Sequence, residues 1–199
     1  MTMVATMTMT TKHSHATAVR RLGLLGGESS GKTSLARALA DELCTVWVPE
    51  YGRQRWEELR ETLSVDELVQ GARTQVALED AQAATALANA MQWLICDTTP
   101  LTTLQYCLYD HGHAPAELHA LARRRYDGLV VCEPDFKFVQ DGARRDDGFR
   151  ASQHAWTLAQ LAATNTAYVT VGGPLQDRVR QLVHHLSQLS AEPVTHGHS

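Results

Sequence analysis

The sequence predicts an α/β fold: a P-loop architecture with a five-stranded, mostly parallel sheet and helices on both faces. Three observations predict it. Five short apolar runs, at residues 19–25, 45–49, 93–96, 128–132 and 167–171, alternate with stretches of helical periodicity. Strands separated by helices pair in parallel, because a crossover helix returns the chain to the same edge of the sheet. The first run leads directly into a glycine-rich turn that opens a helix. At 199 residues, 44% hydrophobic and 20% charged, the chain suits one globular domain with a buried core.

The elements follow in order. After the turn, a helix over 33–43 places Leu35, Ala38, Leu39 and Leu43 on one side. The longest helix is predicted over the alanine-rich stretch 65–90, where Ser64 and Glu67 have capping-box spacing. Further helices are expected over 100–110, 116–125, 151–163 and 175–189. No repeat or linker interrupts residues 19–189, which are read as one domain. Residues 1–18 read as a disordered leader, rich in Thr, Met and His and lacking the apolar core of a signal peptide. Residues 190–199 read as a mobile tail.

Composition narrows the partners. A net charge of −4 argues against a nucleic-acid binder, which needs surplus Lys and Arg against phosphate. No apolar run approaches the ~20 residues that cross a bilayer, so no membrane partner is expected. The four cysteines, Cys44, Cys96, Cys107 and Cys132, lack the close pairing of a disulfide framework or zinc site. Cys96 and Cys132 fall inside apolar runs, as small buried hydrophobes do. The compartment expected is a reducing cytoplasm.

The turn reads Gly26-Gly27-Glu28-Ser29-Ser30-Gly31-Lys32-Thr33, with Ser34 next, and fits the Gly-x4-Gly-Lys-Ser/Thr phosphate loop. Glycines let successive backbone N–H groups converge on one anion, and the helix beginning near Lys32 adds its positive end. Lys32 would reach the β- and γ-phosphates of ATP, and the Thr33 hydroxyl would ligate Mg2+. The plainer alternative is a glycine-rich turn with an incidental lysine. A guanine-specific Asn-Lys-x-Asp motif and a Leu-Ser-Gly-Gly-Gln signature are both absent from the sequence.

Ligands of open parallel sheets lie beyond the carboxyl ends of the strands. Glu50-Tyr51-Gly52-Arg53 follows the second run, Asp97-Thr98-Thr99 the third and Glu133 the fourth. Asp97 is placed to hold Mg2+ directly or through water, and Glu50 to accept a proton from an acceptor hydroxyl. The alternatives are a helix amino-terminal acid for Glu50 and a helix cap for Asp97. Glu133, before a proline, reads as a turn residue.

After the fourth run, residues 138–150 form a basic loop with Gly142 and Gly148 as hinges. Arg144 and Arg145 would swing over a bound triphosphate as a lid, Arg144 acting in catalysis and Arg145 on the nucleotide. Alternatively, they pair with Asp146 and Asp147 as a solvated cluster.

Taken together, the phosphate loop, Glu50-Tyr51-Gly52-Arg53, Asp97-Thr98 with Thr102 and Thr103, and Asp141-Gly142-Ala143-Arg144 resemble the ribosylnicotinamide kinase domain of NadR-type proteins, a P-loop kinase family with an AAA-like ATP-binding domain. The resemblance runs from about Leu22 to Leu186. It implies ATP-dependent phosphorylation of the 5′-hydroxyl of nicotinamide riboside to nicotinamide mononucleotide, in NAD salvage. It implies that Glu50 or Asp97 is the base while the other carboxylate serves Mg2+ or the ribose. Arg53 would hold the ribose or phosphate side, and Tyr51 or Trp56 would stack on the cationic pyridinium. The donor base is expected near Gly172-Gly173-Pro174.

Two departures stand out. The family often carries Asp-Thr-Asp after the third strand, and Thr99 occupies the last position here, which removes a candidate carboxylate and throws weight on Glu50. The adenylyltransferase domain common upstream in NadR-type proteins has no counterpart in these 199 residues. Thr195-His196-Gly197-His198 matches a short signature of that enzyme class by coincidence, and His111-Gly112-His113 reads as a polar loop. Rival readings are a kinase for another nucleoside or nucleotide, and an ATP-binding regulator without turnover. Oligomeric state is left open.

Overall fold

The computed structural model describes residues 18–59, 62–139 and 145–191. Its elements are β1 (Arg20–Leu25), α1 (Lys32–Glu42), β2 (Trp47–Val48), α2 (Tyr51–Leu59), α3 (Val65–Ala88), β3 (Trp93–Asp97), α4 (Pro100–His111), α5 (Ala116–Ala122), β4 (Gly128–Cys132), α6 (Asp147–Ala163), β5 (Val169–Val171) and α7 (Leu175–Ala191). The five strands pair in the order β2-β3-β1-β4-β5, and every pairing is parallel. The five-stranded α/β sheet predicted from the sequence is therefore present. The leader, apart from Ala18, and most of the tail lie outside the described residues, as do Asp141, Gly142, Ala143 and Arg144.

Both faces of the sheet are covered, which explains why the strands read as continuous apolar runs rather than alternating ones. Leu22, Leu24, Ile95, Val130 and Cys132 point to one side, against Leu35 and Leu39 of α1 and Val179, Leu182 and Leu186 of α7. Their neighbours Leu94 and Cys96 point to the other side with Ala86 of α3, and Leu25 and Val131 do so with Leu161 of α6. A fourth cluster joins α3, α4 and α5 through Ala72, Leu104, Cys107 and Leu118. Cys96, Cys107 and Cys132 are buried free thiols, and Cys44 is exposed. Among the described residues no helix is long and apolar enough to cross a membrane.

Side-chain caps start three of the helices. The Ser64–Glu67 capping box is formed at α3. Thr99 caps α4 with Pro100 in the first turn, and Asp146 caps α6 by accepting the Phe149 N–H at 2.7 Å. That cap corrects the basic-loop reading: α6 begins at Asp147, so residues 147–150 are helical and only the preceding stretch is loop. Helix α2 was not expected. It lies against α3 with Leu59 on the α3–α4–α5 cluster, but it fully buries no residue and carries the ion pairs Arg53–Glu57 (3.0 Å) and Arg55–Glu58 (2.9 Å) on its surface, so its apolar signal in the sequence is weak. Strand β2 shrinks to two residues, α5 stops at Ala122, and β5 begins two residues later than expected.

β1 lies between β3 and β4, and the chain reverses its direction of travel across the sheet there. The crevice at this switch point opens at the carboxyl end of β1, which is the phosphate loop. A charged side chain the sequence did not flag closes the back of it. Arg178, at 2% exposure, donates to the carbonyls of Ser30 (2.9 Å), Gly173 (2.8 Å) and Glu133 (3.1 Å) and pairs with Asp135. One side chain of α7 thus ties the loop to the ends of β4 and β5. Arg178→Ala should cost about 3 kcal/mol, as loss of one partner of a buried ion pair does. In thermal denaturation that corresponds to a drop of roughly 5–10 °C.

Candidate functional site

The phosphate loop folds as its residue types demand. Gly26 holds φ +137°, and a Cβ there would stand 2.7 Å from the Cys132 carbonyl oxygen. At Gly27 a Cβ would stand 2.5 Å from the carbonyl oxygen of Arg150, so α6 packs directly on the loop. Lys32 curls back onto the loop, its Nζ donating to the carbonyls of Gly26 (2.9 Å) and Gly27 (3.0 Å). The Thr33 hydroxyl donates to Asp97 Oδ2 at 2.6 Å, which joins the first turn of α1 to the end of β3.

A cavity of about 480 Å3 extends from the loop, a volume suited to a nucleoside-sized ligand. Gly26, Glu28, Ser29, Ser30, Gly31, Lys32, Thr33 and Ser34 line one end. Glu50, Gly52, Arg53 and Trp56 form one wall, and Thr98, Thr102, Thr103, Tyr106 and Asp110 form another. Asp97 sits just beneath, 1% exposed, with its Oδ1 buried and lacking a hydrogen-bond partner. The sequence-predicted loop, Glu50, Arg53 and Asp97 are thus brought together. Glu133 meets His154 at 3.4 Å, and His111 Nε2 lies 2.9 Å from the Leu63 carbonyl.

Burial governs the carboxylates. Desolvation raises Glu50 to about 7; Lys32 opposes the rise, Asp97 adds to it, Arg53 opposes it and Glu28 adds to it. Burial also raises Asp97, while the Thr33 hydrogen bond and the Lys32 charge hold it down. The two acids thus carry different environments: Asp97 is hydrogen-bonded to Thr33 beside the phosphate loop, and Glu50 is raised toward neutrality on the wall that α2 supplies. The Thr33 hydroxyl and the orphaned Asp97 oxygen are hard donors of the kind Mg2+ takes, so the residues fit that ion. Among the described residues no three His, Cys, Asp or Glu side chains gather into a metal site of their own, so phosphate oxygens and water would supply the other ligands.

Three sequence expectations need correction. Tyr51 does not line the cavity; its backbone N–H donates to Gln75 Oε1 at 3.0 Å, and the aromatic faces on the cavity belong to Trp56 and Tyr106. Arg145 is directed to α4 instead of forming a solvated cluster with its acidic neighbours in sequence. Its guanidinium meets Asp110 at 2.5 Å over the rings of Phe149 (4.4 Å) and Tyr109 (4.7 Å). Thr99, in place of the family's second aspartate, faces away from the cavity: its Oγ1 accepts the Leu101 N–H at 3.3 Å and its methyl packs under Gly23. As the cap of α4, Thr99 is not among the residues lining the cavity.

Sequence reasoning missed Tyr106, Asp110 and Gln153. The Tyr106 hydroxyl donates to Glu28 Oε1 at 2.8 Å, the Arg145 N–H donates to Glu28 Oε2 at 2.7 Å, and the Glu28 N–H donates to Gln153 Oε1 at 2.8 Å. The signal for the first two was present as a polar stripe, Thr102-Thr103-Tyr106-Asp110, at helical spacing on α4.

The fold and cradle define an α/β protein of the P-loop type. Residues 21–178 match the family model described as an AAA domain, and the chain belongs to that family. The trifunctional NAD biosynthesis/regulator protein NadR of Salmonella typhimurium is 33% identical over 132 residues, 63% of this chain and 31% of that protein, and the Escherichia coli NadR gives the same figures. The chain thus matches only about a third of the length of these curated relatives. Among solved structures, NadR in complex with NR superposes with a TM-score of 0.67 at 21% identity, over 89% of this chain and 54% of that one. NadR with NAD and AMP-PNP gives 0.66 at 20%, over 90% and 52%. Deoxyadenosine kinase from M. mycoides gives 0.54 at 10%, over 84% and 99%. The resemblance to NadR-type P-loop kinases read from the sequence holds.

A buried carboxyl raised to about 7 stabilises the fold while protonated, and that contribution fades as pH climbs from about 4.5 through 7. Glu50→Gln removes the charge without the shape. Its melting temperature should exceed that of the wild type at pH 8, and the gap should close at pH 5.

Proposed function

We propose that this chain is an ATP- and Mg2+-dependent kinase that phosphorylates the 5′-hydroxyl of nicotinamide riboside to nicotinamide mononucleotide. The observation that carries the reading is the cavity that joins the phosphate loop to a chamber walled by Glu50, poised near neutrality, and by two aromatic side chains. The NadR relatives and the NR-bound neighbour support the choice of acceptor.

On this reading Lys32 exchanges its two loop carbonyls for the β- and γ-phosphates of ATP, and the loop amides hold the remaining oxygens. Thr33 and Asp97 would hold Mg2+, which when bound neutralises phosphate charge. Glu50 accepts the proton of the 5′-hydroxyl as that oxygen attacks in line. Arg53 holds the ribose or phosphate side, and Trp56 and Tyr106 offer ring faces to the pyridinium cation. Arg145 lines the cavity where its backbone N–H braces Glu28 and its guanidinium meets Asp110, and from there it would act on the nucleotide. Arg144 lies outside the described residues; its proposed role on the transferred group stays with the lid reading. The deoxyadenosine kinase likeness favours, as a second reading, phosphorylation of another nucleoside at the same site.

Purified protein with ATP, Mg2+ and nicotinamide riboside should release ADP and nicotinamide mononucleotide in equal amounts, read by chromatography. A preference for thymidine or deoxyadenosine in the same panel selects the second reading. ATP binding without acceptor-dependent ADP release across the panel overturns both and leaves a regulator. Lys32→Ala should lower kcat by about 100-fold or more with the melting curve retained.

The pH dependence separates the two carboxylates. Glu50 acts deprotonated, so wild-type kcat/KM should rise through an apparent pKa near 7, and Glu50→Gln should lose that limb. Asp97→Asn should instead raise the Mg2+ concentration needed for half-maximal rate.

A further inference from the structure

Thr98 joins β3 to the cap of α4 and has no part in the mechanism above. It holds φ +88°, a left-handed backbone that a β-branched residue rarely adopts. Its side chain is 3% exposed and lines the cavity, and its Oγ1 is buried without a hydrogen-bond partner. A buried hydroxyl left unpaired is costly, and an orphan on a cavity wall is one that a ligand can satisfy. Two placements say which ligand atom. Thr98 directly follows Asp97, whose carboxylate meets Thr33 of the phosphate loop, so the hydroxyl belongs to the end of the cavity where phosphates lie. It also precedes the first turn of α4, whose Thr102 and Thr103 line the same wall.

We propose that the Thr98 hydroxyl seats the phosphoryl group on the acceptor side, so that the protein grips a nucleoside 5′-monophosphate by its phosphate. The inference rests on the kinase reading and adds a residue to it. The hydroxyl donates to a non-bridging oxygen of the group that leaves ATP and stays on the product, a charge-assisted bond. The neutral nucleoside 5′-hydroxyl gains far less from the same donor.

The test is calorimetric, on the full chain with ADP and Mg2+ saturating the loop, titrating nicotinamide mononucleotide and nicotinamide riboside separately. Thr98→Val keeps the β-branched shape and removes the donor. It should weaken monophosphate binding about 10-fold and leave the nucleoside within twofold, while Thr98→Ser stays near the wild type on both. Thr98→Ala serves in the same comparison should Thr98→Val melt early. Unchanged monophosphate affinity overturns the proposal, as does an equal loss on both ligands, which would give the hydroxyl to the ribose. A wild type that binds a different nucleoside 5′-monophosphate overturns the acceptor identity alone, and the Thr98 comparison is then made on that ligand. A wild type that binds none overturns both.

Discussion

A loop that points its amides inward at an anion must point its carbonyls outward, and those carbonyls need partners. That constraint organises the molecule around residues 26–33. Arg178 takes the Ser30 carbonyl from behind, and Lys32 takes those of Gly26 and Gly27. The backbone of α6 lies against Gly27 so closely that no side chain fits between, and Gln153 of the same helix receives the Glu28 N–H. The loop is therefore shaped from outside by α6 and α7, which lowers the ordering cost of binding a nucleotide.

Glu28 carries that rigidity across to the second half of the cavity. Its carboxylate accepts the Tyr106 hydroxyl from α4 and the Arg145 backbone N–H from the segment entering α6. The P-loop thus touches the α4 wall of the cavity through its own side chain, and the two ends of the cavity share one bracket. Glu50 stands on the opposite wall at the start of α2, where Gln75 of α3 fixes the peptide that joins it to Tyr51. The two carboxylates differ by surroundings: one hydrogen-bonded beside Thr33, and one raised by desolvation on the cavity wall.

Much of this was legible in the residue order. Apolar runs separated by helical stretches give a parallel sheet, and the phosphate loop names its own partners because its spacing is tied to one geometry. Glu50 and Asp97 were readable as strand-end acids, since the ends of parallel strands face the ligand crevice. Helix α2 was hidden because it is short and fully buries none of its residues, so charged residues outnumber its few apolar ones. The start of α6 was hidden by Gly148, a poor helix residue carried there by the Asp146 cap. Tyr106 and Arg178 escaped for another reason. Their partners, Glu28 and Ser30, lie 78 and 148 residues away, and only the closed fold makes such pairs neighbours.

Thr99 is more freely exchanged than Asp97. Its side chain turns into the protein as a helix cap under Gly23, so a short polar residue of either charge state satisfies that position. Serine or asparagine could fill the same capping place in this fold, whereas the acid two residues before it meets the phosphate loop directly and has no such freedom.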